Sequence, residues 1–260
     1  MPEDVAERAA LLRSMLARRR VLLVLDNAAD VEQVRPLLPG TATCCVVVTS
    51  RDSLAALVAR HGAQRLVVEL MTEAESVRLL GALIGDRMAA PGAAAAAADV
   101  ARWCAGLPLA LRIAAEHLVA RPYLSVAALA DELRDERRRL DVLDSDGDEQ
   151  TALRTVFAWS YRSLTPDQAR AFSLLGAHFG VDLDRRSAAE LLGGPPAGAA
   201  RQLDALIRGH LVRPVGADRF DMHDLLRAYA AERADELAED ERRAARRGCS
   251  TTTARTRRSP

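Results

Sequence analysis

The chain has 260 residues, 49% of them hydrophobic, which is enough apolar mass for one to two domains with real cores. Its 36 basic and 36 acidic side chains cancel, which excludes a global electrostatic footprint for nucleic acid or an anionic membrane. Any such partner has to be met locally. The N-terminus, Met-Pro-Glu-Asp, leads into an amphipathic segment without a charged n-region or a long apolar core. No signal peptide, transmembrane segment or membrane partner is therefore expected. Four cysteines (Cys44, Cys45, Cys104 and Cys249) show no metal-ligand spacing, and a reducing, cytoplasmic location fits them best.

In chain order, Val5 to Arg19 carries Leu11, Leu12, Met15 and Leu16 on one face, a helix expected to pack on a sheet. That sheet begins at VLLVLDN, Val21 to Asn27, whose five apolar residues suit a strand buried on both faces, as in a parallel sheet. Ligands of open α/β sheets bind beyond the carboxyl ends of the strands, so Asp26 belongs at the lip of a site. Asp30 is placed to cap a short helix through Val31 and Val34, ended by Pro36 and the Pro39-Gly40 turn. A second strand, CCVVVT from Cys44 to Thr49, closes on Thr49, Ser50 and Arg51, and its two cysteines read as small buried hydrophobes. An Asp and an Arg at neighbouring strand ends are what a magnesium-bound phosphate needs, one for the metal shell and one for phosphate oxygens. Asp52 or Ser53 opens a helix over Leu54, Leu57 and Val58, and RLVVEL, Arg65 to Leu70, reads as a third strand. The sheet is thus partial, and the phosphate-loop pattern GxxxxGK[ST] does not occur in the chain.

From Thr72 the periodicity is helical only. Thr72 and Glu75 form a capping box ahead of Val77, Leu80 and Leu83. An alanine-rich helix runs from about Ala93 to Cys104, Gly106 supplies a left-handed stop, and Pro108 suits the first turn of a helix carrying Leu111, Ala114, Ala115 and Leu118. Ser125 caps a further helix expected from Val126 to Leu140, and the polar stretch Asp141 to Gln150 reads as a linker.

Beyond it, Leu153, Val156, Phe157, Ser160 and Tyr161 share one helical face, and Thr165-Pro166-Asp167-Gln168 starts another helix. Trp103, Trp159 and Tyr161 are read as core residues because they fall on apolar faces. Ser187 and Glu190 open a short helix stopped by Gly193-Gly194, and Ala199 to Arg208 repeats the apolar spacing. His210 to Val215 and Arg219 to Met222 form a hairpin across Gly216-Ala217-Asp218, followed by a helix to about Leu237. Helices and then a hairpin describe a winged helix. From Glu239 the sequence turns to arginine, serine and threonine without apolar periodicity.

Taken together, four segments resemble the NB-ARC class of signal-transduction ATPases, in the form found in large bacterial transcriptional regulators of the SARP (AfsR-like) type. VLLVLDN resembles the Walker B strand, VVVTSRD the sensor strand, GLPLALRIAA the GLPL motif and MHDLLRAYA the MHD motif, in the right order across roughly residues 5 to 238. The resemblance implies an α/β partial parallel sheet, an incomplete P-loop NTPase domain, followed by an all-α helical domain and a winged-helix domain. Its boundaries are residues 1–70 for the C-terminal part of the nucleotide domain, 71–143 for the helical domain, 144–150 for a linker, 151–238 for the winged helix and 239–260 for a disordered tail. It further implies ADP or ATP with magnesium as ligand, with Asp26 orienting the metal shell beside Thr49 and Arg51 sensing the γ-phosphate. Pro108 would pack near the adenine and His223 would touch the β-phosphate of ADP.

The sequence departs from that family in lacking the phosphate loop, so most of the amides and the lysine that hold phosphates are missing. Asn27 stands where many related ATPases have a second acid; an amide is no general base, so at most slow hydrolysis is expected. The missing loop and the polar tail lead to the expectation of a truncated or frame-shifted gene product. Plainer roles stand beside each site residue: Asp26 as a cap or turn residue, Arg51 as a surface ion-pair partner, Pro108 as a helix-start residue, His223 as a capping or buried structural histidine. Two functions follow. One is an ADP/ATP-responsive switch in a regulator, partnered by that regulator's other domains or by other proteins. The other is a nucleotide-independent protein-interaction or DNA-binding module using the winged helix, where Arg201, Gln202 and Arg208 are the candidate contacts.

Overall fold

In the computed structural model of the chain, residues 4–136, 138–144, 153–177, 182–193 and 195–243 are described. They fall into two compact units, one reaching to Val67 and taking in Arg208–His210, the other covering the rest from Val68.

The first unit holds α1 (Val5–Leu16), β1 (Leu22–Ala28), α2 (Val31–Val34), β2 (Cys45–Ser50) and α3 (Ala55–His61). β1 and β2 pair in parallel, Leu22 opposite Cys45 and Leu25 opposite Val48, with the register broken between Leu25 and Ala28. The break coincides with Asn27, which is left-handed at φ 54°. Asp30 caps α2 as expected, its Oδ1 accepting from Gln33 N at 2.9 Å. Strand alternation sends one set of side chains into a small core: Leu25 and Val48 pack on buried Val34, Leu54 and Leu57.

Four expectations for residues 5–70 are corrected. The strands are apolar on both faces but covered on one: Leu22 and Val24 are 63% and 59% exposed, and Cys45 and Val47 share that open side. Cys45 is accordingly exposed, not a buried hydrophobe. The apolar face of α1 is likewise mostly open, because Leu16 is buried while Leu11 and Met15 are exposed. RLVVEL forms no strand, and Leu66 and Val68 are 90% and 95% exposed. Strand propensity alone leaves a ladder of unpaired N–H and C=O groups, and among the described residues nothing pairs with this segment.

In the second unit α4 (Glu73–Ile84) is followed by α5 (Ala93–Trp103), α6 (Pro108–Ala120), α7 (Val126–Arg134) and α8 (Arg139–Val142). Its start is the expected capping box, with Thr72 N donating to Glu75 Oε2 at 2.8 Å and Glu75 N to Thr72 Oγ1 at 3.3 Å. Ser125 caps α7, accepting from Ala128 N at 3.1 Å. The helix expected to reach Leu140 stops at Arg134: Asp135 is extended, and α8 begins afresh at Arg139. The orphan carbonyls this leaves at the end of α7 are met by Arg139, whose Nε donates to Leu133 O at 2.8 Å.

After residues 145–152, where most of the expected linker lies outside the described residues, come α9 (Leu153–Arg162), α10 (Pro166–Gly176), β3 (Asp182–Asp184), α11 (Arg185–Leu192), α12 (Pro196–Arg208), β4 (Arg213–Pro214), β5 (Arg219–Asp221) and α13 (Asp224–Asp235). The expected hairpin is present, closed by Val215 N on Arg219 O at 2.9 Å, and β5 also pairs with β3, a strand the sequence did not announce. Asp184, not Ser187, caps α11. One continuous core runs through this unit, from Leu80 on α4 to Ala230 on α13. Within it Phe157, Tyr161, Phe172 and Tyr229 make a ring cluster with centroids 5.7–6.2 Å apart. Tyr161 joins this core as expected; Trp159 does not, being 45% exposed, because α9 turns Phe157 inward in its place. Gly176 marks the closest approach of α10 to α13: a Cβ there would collide with the Ala230 carbonyl. The tail expected from residue 239 lies outside the described residues beyond Arg243, and its start is tied by Arg242–Asp235 and Arg170–Glu241 ion pairs.

Candidate functional site

Asp26 and Thr49 meet because β1 and β2 run in parallel and end together. Both are exposed at the carboxyl ends of their strands. The Thr49 hydroxyl donates to Asp26 Oδ1, while Asn27 N donates to Thr49 Oγ1 at 2.8 Å. The hydroxyl therefore fixes the carboxylate rotamer and is itself oriented by the backbone bulge at Asn27. An exposed, oriented carboxylate is a hard-oxygen donor of the kind that magnesium takes beside its own waters. Just beyond, Ser50 Oγ donates to Ala28 O at 2.7 Å and accepts from Asp52 N at 3.0 Å. Asp52 Oδ1 in turn accepts from Leu54 N at 2.8 Å. These bonds pin the turn that carries Arg51, which is half-buried one residue past the end of β2. No group of acids, histidines and cysteines able to hold a metal unaided occurs among the described residues.

The other two expected site residues belong to the second unit. Pro108 is exposed at the first position of α6, where its missing N–H costs nothing. The turn before it is fixed by Gly106, left-handed at φ 65°, whose carbonyl accepts from Met71 N at 3.0 Å; a Cβ at Gly106 would collide with Met71 O. His223 is the N-cap of α13, its Nδ1 accepting from Leu226 N at 3.2 Å. Its plainer structural role is thus real. With Nδ1 engaged as acceptor, the neutral ring carries its proton on Nε2 and offers a donor there. Enclosure, including Phe157 at 5.9 Å between centroids, together with the positive charge of Arg213, pushes its pKa down to about 4 despite the opposing Asp221. The ring is therefore neutral at physiological pH.

Two arginines that the sequence reading passed over organise the surroundings. Arg139 is buried, stacked 4.7 Å over the Trp103 ring, and Asp224, the residue after His223, is foremost among the charges that counter the burial lowering its pKa. Arg154 on α9 holds Glu232 on α13 in a two-nitrogen grip, Nη2 at 2.7 Å and Nε at 3.1 Å, and also reaches Asp144 at 2.8 Å and Asp141 at 2.5 Å. Asp141, which composition put in a linker, lies in α8, and Asp144 follows two residues after its end. Nothing in the local sequence signals the grip on Glu232, since Arg154 and Glu232 lie 78 positions apart. Burial raises the Cys104 thiol to about 12, which leaves it an inert hydrophobe.

Comparison with known proteins follows the motifs. No family profile matches the chain. It is 41% identical over 248 residues to the Regulatory protein AfsR of Streptomyces coelicolor, covering 95% of this chain and 24% of that protein. To the Regulatory protein AfsR of Streptomyces griseus it is 43% identical over 231 residues, covering 88% of this chain and 23% of that protein. The chain thus spans about a quarter of the length of the curated relatives it matches. Among the described residues no helix is long and apolar enough to cross a membrane. Identity at this level over nearly the whole chain makes it a homologue of the AfsR regulatory proteins.

Proposed function

We propose that this chain is the nucleotide-responsive switch segment of a larger transcriptional regulator, an NB-ARC module that binds ADP or ATP with magnesium. The observation that carries the reading is the Thr49–Asp26 pair at the ends of two parallel strands, an oriented carboxylate where open α/β sheets take their ligands. Homology to much longer regulatory proteins supports the setting, with other domains of the same regulator as partners. Asp26, beside Thr49, holds the magnesium shell and Arg51 meets the terminal phosphate. By the family resemblance alone, Pro108 is assigned an adenine contact and His223, through Nε2, a phosphate contact. In that reading β1–β2 are part of a P-loop sheet and α9–α13 with the β3-β5-β4 sheet are a winged helix. Asn27 supplies no general base, so binding and not turnover is the output.

The second reading, a DNA-binding or protein-interaction module, ranks lower for a stated reason. The candidate helix offers Arg201, Gln202 and Arg208 alone, and the cations of the adjoining hairpin are engaged by acids, Arg213 by Asp221 at 2.8 Å and Arg219 by Asp182. Phosphate contacts need cations that are not already neutralised. Titration calorimetry with MgADP tests the first reading. Binding that weakens about tenfold or more in both Arg51→Ala and His223→Ala is expected, the size of one lost charge-assisted hydrogen bond each. No heat at millimolar MgADP from a folded chain contradicts it.

A further inference from the structure

The helices before and after residues 145–152 meet at a joint that the Arg154 guanidinium spans. On one side α8 is fixed to the preceding helices: Arg139 lies on Trp103 of α5 and caps the end of α7, and Leu140 and Leu143 are fully buried. On the other side α13 presents Glu232, with a side chain 29% exposed. Arg154 sits between them and engages Asp141 and Asp144 from the α8 side and Glu232 from α13. The bookkeeping of charge is uneven, one cation against three carboxylates. These bonds hold the guanidinium firmly in its charged form, Glu232 foremost.

We propose that Arg154 is a latch, an electrostatically loaded contact that keeps α13 docked on α8. While the guanidinium is in place it screens the three acids from each other. Once it is displaced, Asp141 and Asp144 face Glu232 as like charges, and the joint is driven open and not merely loosened. Because α13 begins at its cap, His223, release of the helix also frees the imidazole from its fixed position. The latch needs no nucleotide, and its test uses none.

Hydrogen exchange by mass spectrometry on the whole chain reads the latch directly. In Arg154→Ala, exchange of α8 and α13 amides is expected to rise about tenfold or more, while α4 and α6 keep their protection. Two manipulations separate repulsion from lost packing. Adding Asp141→Asn and Asp144→Asn to Arg154→Ala is expected to restore most of the protection, and so is raising the salt to about 1 M, which shortens the Debye length to about 3 Å. The proposal is overturned if α13 exchanges as in the wild type, if α4 and α6 open together with it, or if neither the Asn pair nor salt restores protection. Should Arg154→Ala fail to fold, Glu232→Gln decides in its place: a smaller rise confined to α8 and α13 supports the latch, and unchanged exchange overturns it.

Discussion

The two units use the same currency of apolar burial very differently. Around β1 and β2 the buried cluster is Val34, Leu54 and Leu57, with one face of the strand pair open. From α4 to α13 a continuous core includes fully buried Phe172, Leu111, Leu129, Leu203 and Leu206. Each such side chain contributes about 1.5–3 kcal/mol of transfer free energy, so the second unit should dominate stability while the first tolerates change. The residues proposed to meet a ligand in the first unit, Asp26 and Thr49, thus stand on the weaker scaffold and are held chiefly by hydrogen bonds.

That contrast can be broken or sharpened by substitution. The largest effects belong to the second core: Phe172→Ala should cost about 3–5 kcal/mol, by loss of transfer energy and creation of a cavity among the rings. Gly176→Ala should cost at least about 3 kcal/mol, since the Ala230 backbone cannot yield. Both are read by chemical denaturation, and a loss below about 1 kcal/mol in either would show that α10 and α13 are not tightly packed.

Next in size is a pH dependence set by His223. Its ring titrates at about 4 in the fold and near 6.5 when unfolded, so the unfolded state takes up a proton that the native ring refuses. The stability it confers is complete above pH 6.5 and falls as the pH drops toward 4, by about 3 kcal/mol in all. His223→Asn keeps a capping side chain and should remove that slope. An unchanged slope in urea titrations between those pH values would assign the effect elsewhere.

Smaller again, Thr72→Ala removes one half of the capping box and should cost about 1 kcal/mol, read from the urea midpoint. Val24→Thr, on the open face of β1, should change stability by less than about 0.5 kcal/mol. A large loss at Val24 would mean that this face is covered in solution.

How much of this could be read from the sequence follows from the range of the forces involved. Asp30, Thr72, Ser125 and Thr165 announce their helices because a cap bonds within three residues. The Gly216-Ala217-Asp218 turn does the same for the hairpin. RLVVEL misleads because a strand is made by its neighbour, and α1 misleads because its apolar stripe has no sheet large enough to cover it. The break after Arg134 depends on Arg139 folding back over Trp103, and the Arg154 cluster on a residue 78 positions away. At the candidate site, Asp26 and Thr49 are legible as strand-end polar residues after apolar runs. The cap at His223 is legible too, from its place between a strand and a helix, whereas the enclosure that lowers its pKa is not, since Phe157 and Arg213 come from other elements.

The most direct test of the switch is to map, by hydrogen exchange, where MgADP protects the chain. Slower exchange at the ends of β1 and β2, around Asp26 and Thr49, and at the start of α13 by His223 is the result expected, lost in Asp26→Asn. Protection confined to other segments, or none at saturating MgADP, would contradict the assignment of these residues to a nucleotide site.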